Sequence, residues 1–269
     1  MFLENFIQQK LDQNFQDNKD CIFLTSGNDV ALSYSDFFFR LKIIKEKFKS
    51  LNINNKTPIL VQFPRGITEA VMVSSLLYFG IPAMVVAESV RRIEITRLLK
   101  NFPFKYFISS KKLISTQEYS DSKLIMEFAD DKVITISNSD YFEEKIKFSW
   151  LLNTSGSTGE SKAVMLSSSN LKDRTLGEIE LFQIKRNSRI LNILPISHDL
   201  GLNQLLTTIY TSSSMEVFSK KLPSEFAQRM QNLKIDGVAG TPEVWNNFIE
   251  IAGRLSIRIN YTGYLTISG

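Results

Sequence analysis

Short apolar runs alternate with amphipathic stretches along most of this 269-residue chain, and that alternation restricts the fold more than any other feature. "TPILVQFP", "IPAMVVAE" and "KYFISS" are too short for helices and apolar enough for strands buried on both faces. Between them, "GITEAVMVSSLLYFG" and "RRIEITRLLKNF" read as helices. Strands that alternate with helices pair in parallel, with the helices as crossovers, so an α/β fold with a mainly parallel sheet is expected.

The second half repeats the pattern. "RILNILP", "MEVFS" and "GVAGTP" read as strands; "GLNQLLTTIYTS", "SEFAQRMQNLKI" and "EVWNNFIEIAGRL" read as helices. Ser35 is the expected cap of a helix carrying Phe38, Leu41, Ile44 and Phe48, and Gly80 the expected stop of the next. Ser168 or Ser169 should cap the helix in "SSNLKDRTLGEIELFQI". From Lys111 to Lys147 only "KLIMEF" and "KVITIS" read as strands. A single core stops growing near ~250–300 residues, so two lobes are as compatible with the length as one.

Composition removes several function classes. The chain has 32 basic and 28 acidic residues, and its densest basic stretch, Lys42 to Lys49, reads as the solvated face of a helix. Nucleic-acid binding is therefore not indicated. Cys21 is the only cysteine, which excludes an internal disulfide and a zinc site built on cysteines. The start, "MFLENFIQQKLDQNF", lacks the basic and apolar blocks of a secretion signal. No window approaches the ~18 apolar residues of a membrane span. A cytoplasmic protein is expected.

One stretch asks for chemistry. "LLNTSGSTGESKAVMLSSSNL", from Leu151 to Leu171, sets small hydroxyl residues and glycines between two apolar runs and closes with a lysine. Backbone N–H groups of such a loop can converge on one anion, with Ser and Thr hydroxyls as further donors and lysine as charge. A Walker A loop would need G-x-x-x-x-G-K-S/T opening a helix. Here Gly156 is followed by Ser161, Lys162 and Ala163, and then by an apolar strand. By composition alone, a hairpin tip fits as well as a phosphate loop.

The stretch resembles the phosphate-binding signature of the adenylate-forming (AMP-forming) superfamily, which includes acyl-CoA synthetases, luciferases, fatty acyl-AMP ligases and peptide-synthetase adenylation domains. The signature there is T-S-G-S/T-T-G-x-P-K-G-V, with N-L a few residues on. Thr154, Ser155, Gly156, Ser157, Thr158, Gly159, Lys162 and Val164 match it; Ser161 replaces a proline and Ala163 a glycine. "ALSYSDFFFRL", "SSLLYFGIPAMVV", "LNILPISHDLGL", "GVAGTPEVWNNF" and "YLTISG" are similar to further family segments, so the resemblance covers the whole chain.

The resemblance implies two lobes of mainly parallel sheet flanked by helices, one from about residue 57 to 185 and the other from 1–56 with 186–269. It implies a reaction of a carboxylic acid with ATP, in the presence of Mg²⁺, giving an acyl adenylate for transfer to CoA or a carrier-protein thiol. Thr154, Ser155, Gly156, Ser157, Thr158, Gly159 and Lys162 would hold the phosphates. The family's aromatic and acid motif that holds adenine and Mg²⁺, its ribose-binding aspartate, and a C-terminal lid with a catalytic lysine correspond to positions beyond Gly269. The chain is thus expected to be a truncated N-terminal core, weakly active or inactive without a missing C-terminal half, and no residue in it is assigned as catalytic. A split, non-catalytic binding component is the alternative.

The resemblance also places a substrate pocket at His198, Asp199, Leu200, Asn203 and Ser268. His198 is the only histidine and follows a strand end, where ligands of open α/β sheets gather. Substrate contact is expected of it rather than proton transfer. In peptide-synthetase adenylation domains an aspartate matching Asp199 holds an amino group. "HDLGL" is closer to the "H-D-M-G-L" of fatty acyl-AMP ligases, so an acyl chain is expected, with amino-acid adenylation as the alternative. On that reading Asp199 bonds backbone groups at the start of its helix.

Overall fold

The computed structural model describes residues 5–27, 30–113, 123–128, 131–142, 148–154, 162–219, 223–232, 234–257 and 263–267. Their strands form two sheets, one of seven strands and one of six. In the first, β3 (Ile59–Gln62) lies between β4 (Ala83–Val86) and β5 (Tyr106–Ser110), all parallel. β8 (Trp150–Thr154) runs parallel beside β4. Antiparallel strands finish both edges: β9 (Lys162–Leu166) beside β8, and β7 (Asp131–Ser137) followed by β6 (Lys123–Phe128) beside β5.

The second sheet is centred on β10 (Arg189–Asn192), with β11 (Ser214–Val217) and β12 (Gly237–Gly240) parallel on either side. β1 (Ile22–Ser26) extends it beyond β11 and β13 (Tyr264–Ile267) beyond β12, again in parallel. β2 (Val30–Ser33) closes one edge as an antiparallel hairpin partner of β1. The α/β expectation holds, and the antiparallel pairs fall at the edges.

The apolar runs are buried on both faces, as expected of parallel strands. Successive strand residues point to opposite faces, so each strand feeds two cores. Ile59 and Val61 enter a core shared by both sheets, and Leu60 between them enters another. Ile190 of β10 joins that same shared core, while Leu191 faces away. The shared core is filled by α1 (Phe6–Asn18), α2 (Tyr34–Ser50), α3 (Ile67–Tyr78) and α6 (Asp199–Thr211). The far face of the first sheet packs on α4 (Arg92–Asn101) through Ile95 and Leu98. The far face of the second packs on α7 (Pro223–Asn232) and α8 (Pro242–Arg254) through Phe226, Met230 and Trp245. α5 (Ser168–Phe182) lies against α6 and adds Leu171 to the shared core.

Two cap expectations are corrected by residues three positions on. Ser33, not Ser35, caps α2, because Asp36 can return the bond: Ser33 Oγ accepts from the Asp36 N–H (3.1 Å) and Asp36 Oδ2 from the Ser33 N–H (3.0 Å). Ser167, rather than Ser168 or Ser169, caps α5 through the same reciprocal arrangement with Asn170. Gly80 follows the end of α3 with φ +61°, the left-handed geometry that ends helices at glycine.

Candidate active site

A cleft of about 870 Å³ opens where the carboxyl ends of β4, β8, β10 and β12 meet. Val86 and Ala87 line it from the end of β4, Asn153 from β8, Leu194 and Pro195 from beyond β10, and Thr241 from beyond β12. Two polar atoms in this lining are buried without a hydrogen-bond partner among the described residues, Asn153 Oδ1 and Ser197 Oγ. Buried polar groups are almost always paired, so these two are the groups a ligand would satisfy.

The two strands that flank the glycine–serine stretch in the sequence, β8 and β9, line this cleft through Asn153 and Val164. They pair antiparallel with Asn153 opposite Ala163 and Thr154 opposite Lys162. Ser155, Gly156, Ser157, Thr158 and Gly159 lie outside the described residues, as does Ser268. Thr154 and Lys162 are placed as strand ends only.

α6 starts at the opposite wall. His198 is its N-cap residue, in extended conformation and exposed, and its carbonyl accepts the Leu202 N–H (2.9 Å). His198, Asp199 and Leu200 all line the cleft. Asn203 is buried; its Oδ1 accepts from Thr175 Oγ1 (3.3 Å). It lines a second, smaller cavity of about 280 Å³ rather than the main cleft.

Asp199 departs from the expected backbone bonding. It is the first residue of α6, not its cap, and its carboxylate pairs with the Arg174 guanidinium of α5. A side-chain cap needs the extended backbone that His198 has here. The packing of α5 on α6 instead brings a cation to Asp199, and a charge-assisted bond is stronger than a neutral one.

Glu178, one turn beyond Arg174, was not singled out in the sequence. Its Oε2 is buried without a hydrogen-bond partner among the described residues. Burial, and to a lesser degree the Asp199 charge, raise its pKa to about 7 against the opposing pull of Arg174. The spacing of Arg174 and Glu178 on one helical face was visible, but such pairs are ordinary on solvated helices.

A second unanticipated residue fixes the cleft wall. Arg65 follows β3, in the other sheet, and donates to the carbonyls of Asn192 (2.6 Å) and Leu194 (2.9 Å) and to that of Ile193. Asn192 Nδ2 in turn donates to Gln204 Oε1 of α6 (2.9 Å). The segment carrying Leu194, Pro195, Ser197 and His198 is thereby held between the two sheets.

Among the described residues no group of three His, Cys, Asp or Glu is placed to hold a metal ion, and no helix is long and apolar enough to cross a membrane.

Comparison with known proteins adds to this geometry. The sequence model of the AMP-binding enzyme family matches residues 11–264. The 2-succinylbenzoate–CoA ligase of Lactococcus lactis is 23% identical over 191 residues, covering 71% of this chain and 42% of that protein. The N-terminal domain of FACL13 from Mycobacterium tuberculosis superposes with a TM-score of 0.79 at 12% identity, covering 98% of this chain and 69% of that one. O-succinylbenzoate coenzyme A synthetase from Bacillus subtilis, solved with ATP and magnesium ion, superposes with a TM-score of 0.72 at 15% identity, covering 89% of this chain and 65% of that one. The chain spans less than half the length of the curated relatives it matches.

Proposed function

The chain belongs to the AMP-binding enzyme family, and from that premise we propose that it binds ATP and serves the activation of a carboxylic acid, with an acyl chain as substrate class, to an acyl adenylate. The observation that carries this reading is the placement of the cleft. It lies at the carboxyl ends of parallel strands, and β8 and β9, which flank the glycine–serine stretch in the sequence, line it through Asn153 and Val164.

A carboxylate oxygen attacks the α-phosphorus of ATP, a new P–O bond forms, and the bond to the bridging oxygen breaks in line to release pyrophosphate. Negative charge grows on the departing phosphates. The residues Thr154 to Gly159, with Lys162, have the task of holding those phosphates through backbone N–H groups, hydroxyls and one ammonium. The described residues offer no carboxylate cage. The adenylate would pass to a thiol, of CoA or of a carrier protein.

The pairing of Asp199 with Arg174 supports an acyl chain over an amino acid, since this carboxylate already has a cation. Titration with ATP and Mg²⁺, followed by an assay of carboxylate-dependent ATP–pyrophosphate exchange, tests the reading on this chain joined to the C-terminal half that the resemblance implies. Saturable ATP binding that Lys162→Ala weakens is expected. A folded, joined protein with no measurable affinity for ATP would overturn it.

A further inference from the structure

The outer face of α2 carries large apolar side chains that the core does not use. One stripe of the helix, Phe37, Phe38, Leu41, Ile44 and Phe48, is buried in the shared core and fixes the helix in place. Phe39 is 65% exposed and Ile43 43%. They stand four positions apart, so they are neighbours on one face, and Lys42 shares that face. The apolar surface continues onto α1, where Phe15, 37% exposed, sets its ring 4.5 Å from that of Phe38.

Charge of one sign surrounds these residues. From Phe39 to Lys49 the helix has five basic residues, Arg40, Lys42, Lys45, Lys47 and Lys49, and one acid, Glu46. Glu46 pairs with Lys49 (2.8 Å), and Arg40 donates to the Asp36 carbonyl (3.0 Å). Lys42 and Lys45 are exposed. The sequence reads this stretch as a solvated face, and the structure adds that its crest is apolar. A lone exposed apolar residue needs no explanation, but two on one turn, among like charges, point to a partner.

The charge and shape of the face select that partner. Docking a second copy on it would set five cations against five. The face is a helix crest rather than a groove, and neither the cleft nor the smaller cavity is lined from α2. A folded partner must meet a crest with a groove of matching shape. A bilayer interface takes protruding side chains without such matching, while lysine stems run along the apolar surface and their ammonium groups meet headgroup phosphates. About four to eight basic residues on an amphipathic helix are the usual complement of an anionic leaflet.

We propose that the outer face of α2 docks the protein on an anionic lipid bilayer, with Phe39 and Ile43 at the boundary of headgroups and acyl chains and Lys42, Lys45 and Lys47 on the phosphates. The protein lies on such a surface, and none of its described helices is long and apolar enough to cross it. The docking does not depend on the carboxylate-activating reading above.

The test is co-sedimentation of the joined protein with two kinds of vesicle, phosphatidylcholine alone and an equal mixture of phosphatidylcholine and phosphatidylglycerol. Thermal melts report whether each variant is folded; all these positions lie outside the buried stripe, so melting should match the parent. The mixed vesicles should bind about a hundred-fold more tightly than the neutral ones. Changing Lys42, Lys45 and Lys47 together to Gln should remove most of that preference, as should added salt. Phe39→Ala with Ile43→Ala should weaken binding to the mixed vesicles by about ten-fold or more. Phe39→Trp, beside two native tryptophans that are buried, should give an emission blue shift only with the mixed vesicles. Absence of binding, equal binding to both vesicles, or binding unmoved by the alanine pair overturns the proposal. So does a lipid-free dimer, seen by light scattering, that the alanine pair dissociates, since a second copy would then be the occupant.

Discussion

Arg65 reaches across from the end of β3 to Asn192 at the end of β10, donating to its backbone carbonyl (2.6 Å) and to its side-chain Oδ1 (3.1 Å). Asn192 ends β10 of the six-stranded sheet, and Arg65 follows β3 of the seven-stranded one. Burial lowers the Arg65 pKa to about 10, with Glu69 and Glu88 opposing, so the guanidinium remains charged at neutral pH. Removing it would leave carbonyls at the end of β10 and the Glu69 carboxyl without their buried donor and cation. Arg65→Ala should therefore lower stability by about 3 kcal/mol. Arg65→Lys should recover only part of the loss, because one ammonium cannot reproduce the planar fork. Urea unfolding of the three proteins measures both effects.

Gly201 is required by a close approach. A Cβ there would stand 2.0 Å from the Pro195 carbonyl oxygen and 2.8 Å from that of Leu194, both backbone atoms that cannot swing aside. Gly201→Ala should push α6 away from the turn that carries Ser197 and His198. A stability loss of about 1–3 kcal/mol is expected, as for other overpacked sites. Weaker acid binding should accompany it. Unfolding curves and a ligand titration on one preparation would show the two losses together; a variant as stable as the parent contradicts the packing described.

Lys162→Ala should weaken ATP binding with little effect on folding. One charge-assisted contact is worth roughly 1.5–3 kcal/mol, or about ten- to a hundred-fold in affinity. AMP, which lacks the β- and γ-phosphates, should lose much less. Equal losses for ATP and AMP would place Lys162 away from the terminal phosphates.

Glu69 should make stability fall with rising pH. It is buried in α3, and its Oε2 has no hydrogen-bond partner among the described residues. Burial raises its pKa from 4.5 to about 8, with Arg65 pulling the other way and Glu88 adding to the rise. Below pH 4.5 the group is protonated in both folded and unfolded chains and contributes no pH dependence. Between that value and about 8 the unfolded chain releases its proton first, so stability declines as pH rises, then levels off. The slope for one proton is at most about 1.4 kcal/mol per pH unit. Glu69→Gln should flatten this part of the profile. Urea midpoints at several pH values for the pair of proteins would show it.

The sequence by itself determined the alternation of strands and helices, the double burial of runs such as "PILVQF", and the family through the spacing of Thr154 to Lys162. These are local properties: strand runs, helical periodicity and loop chemistry are written within a few consecutive residues. It misplaced the caps of α2 and α5 by a residue or two because serines stand in series there, and only the return bond from Asp36 or Asn170 selects among them. It also named His198, Asp199 and Leu200, which do line one cleft. Which charge faces which was decided by tertiary structure alone. Arg174 and Asp199 are 25 positions apart, and Arg65 and Asn192 are 127 apart. Nothing in either local stretch favours those partners. They meet because α5 packs on α6 and because the turn after β3 abuts the end of β10, and packing between elements remote in the sequence is not written in either local stretch.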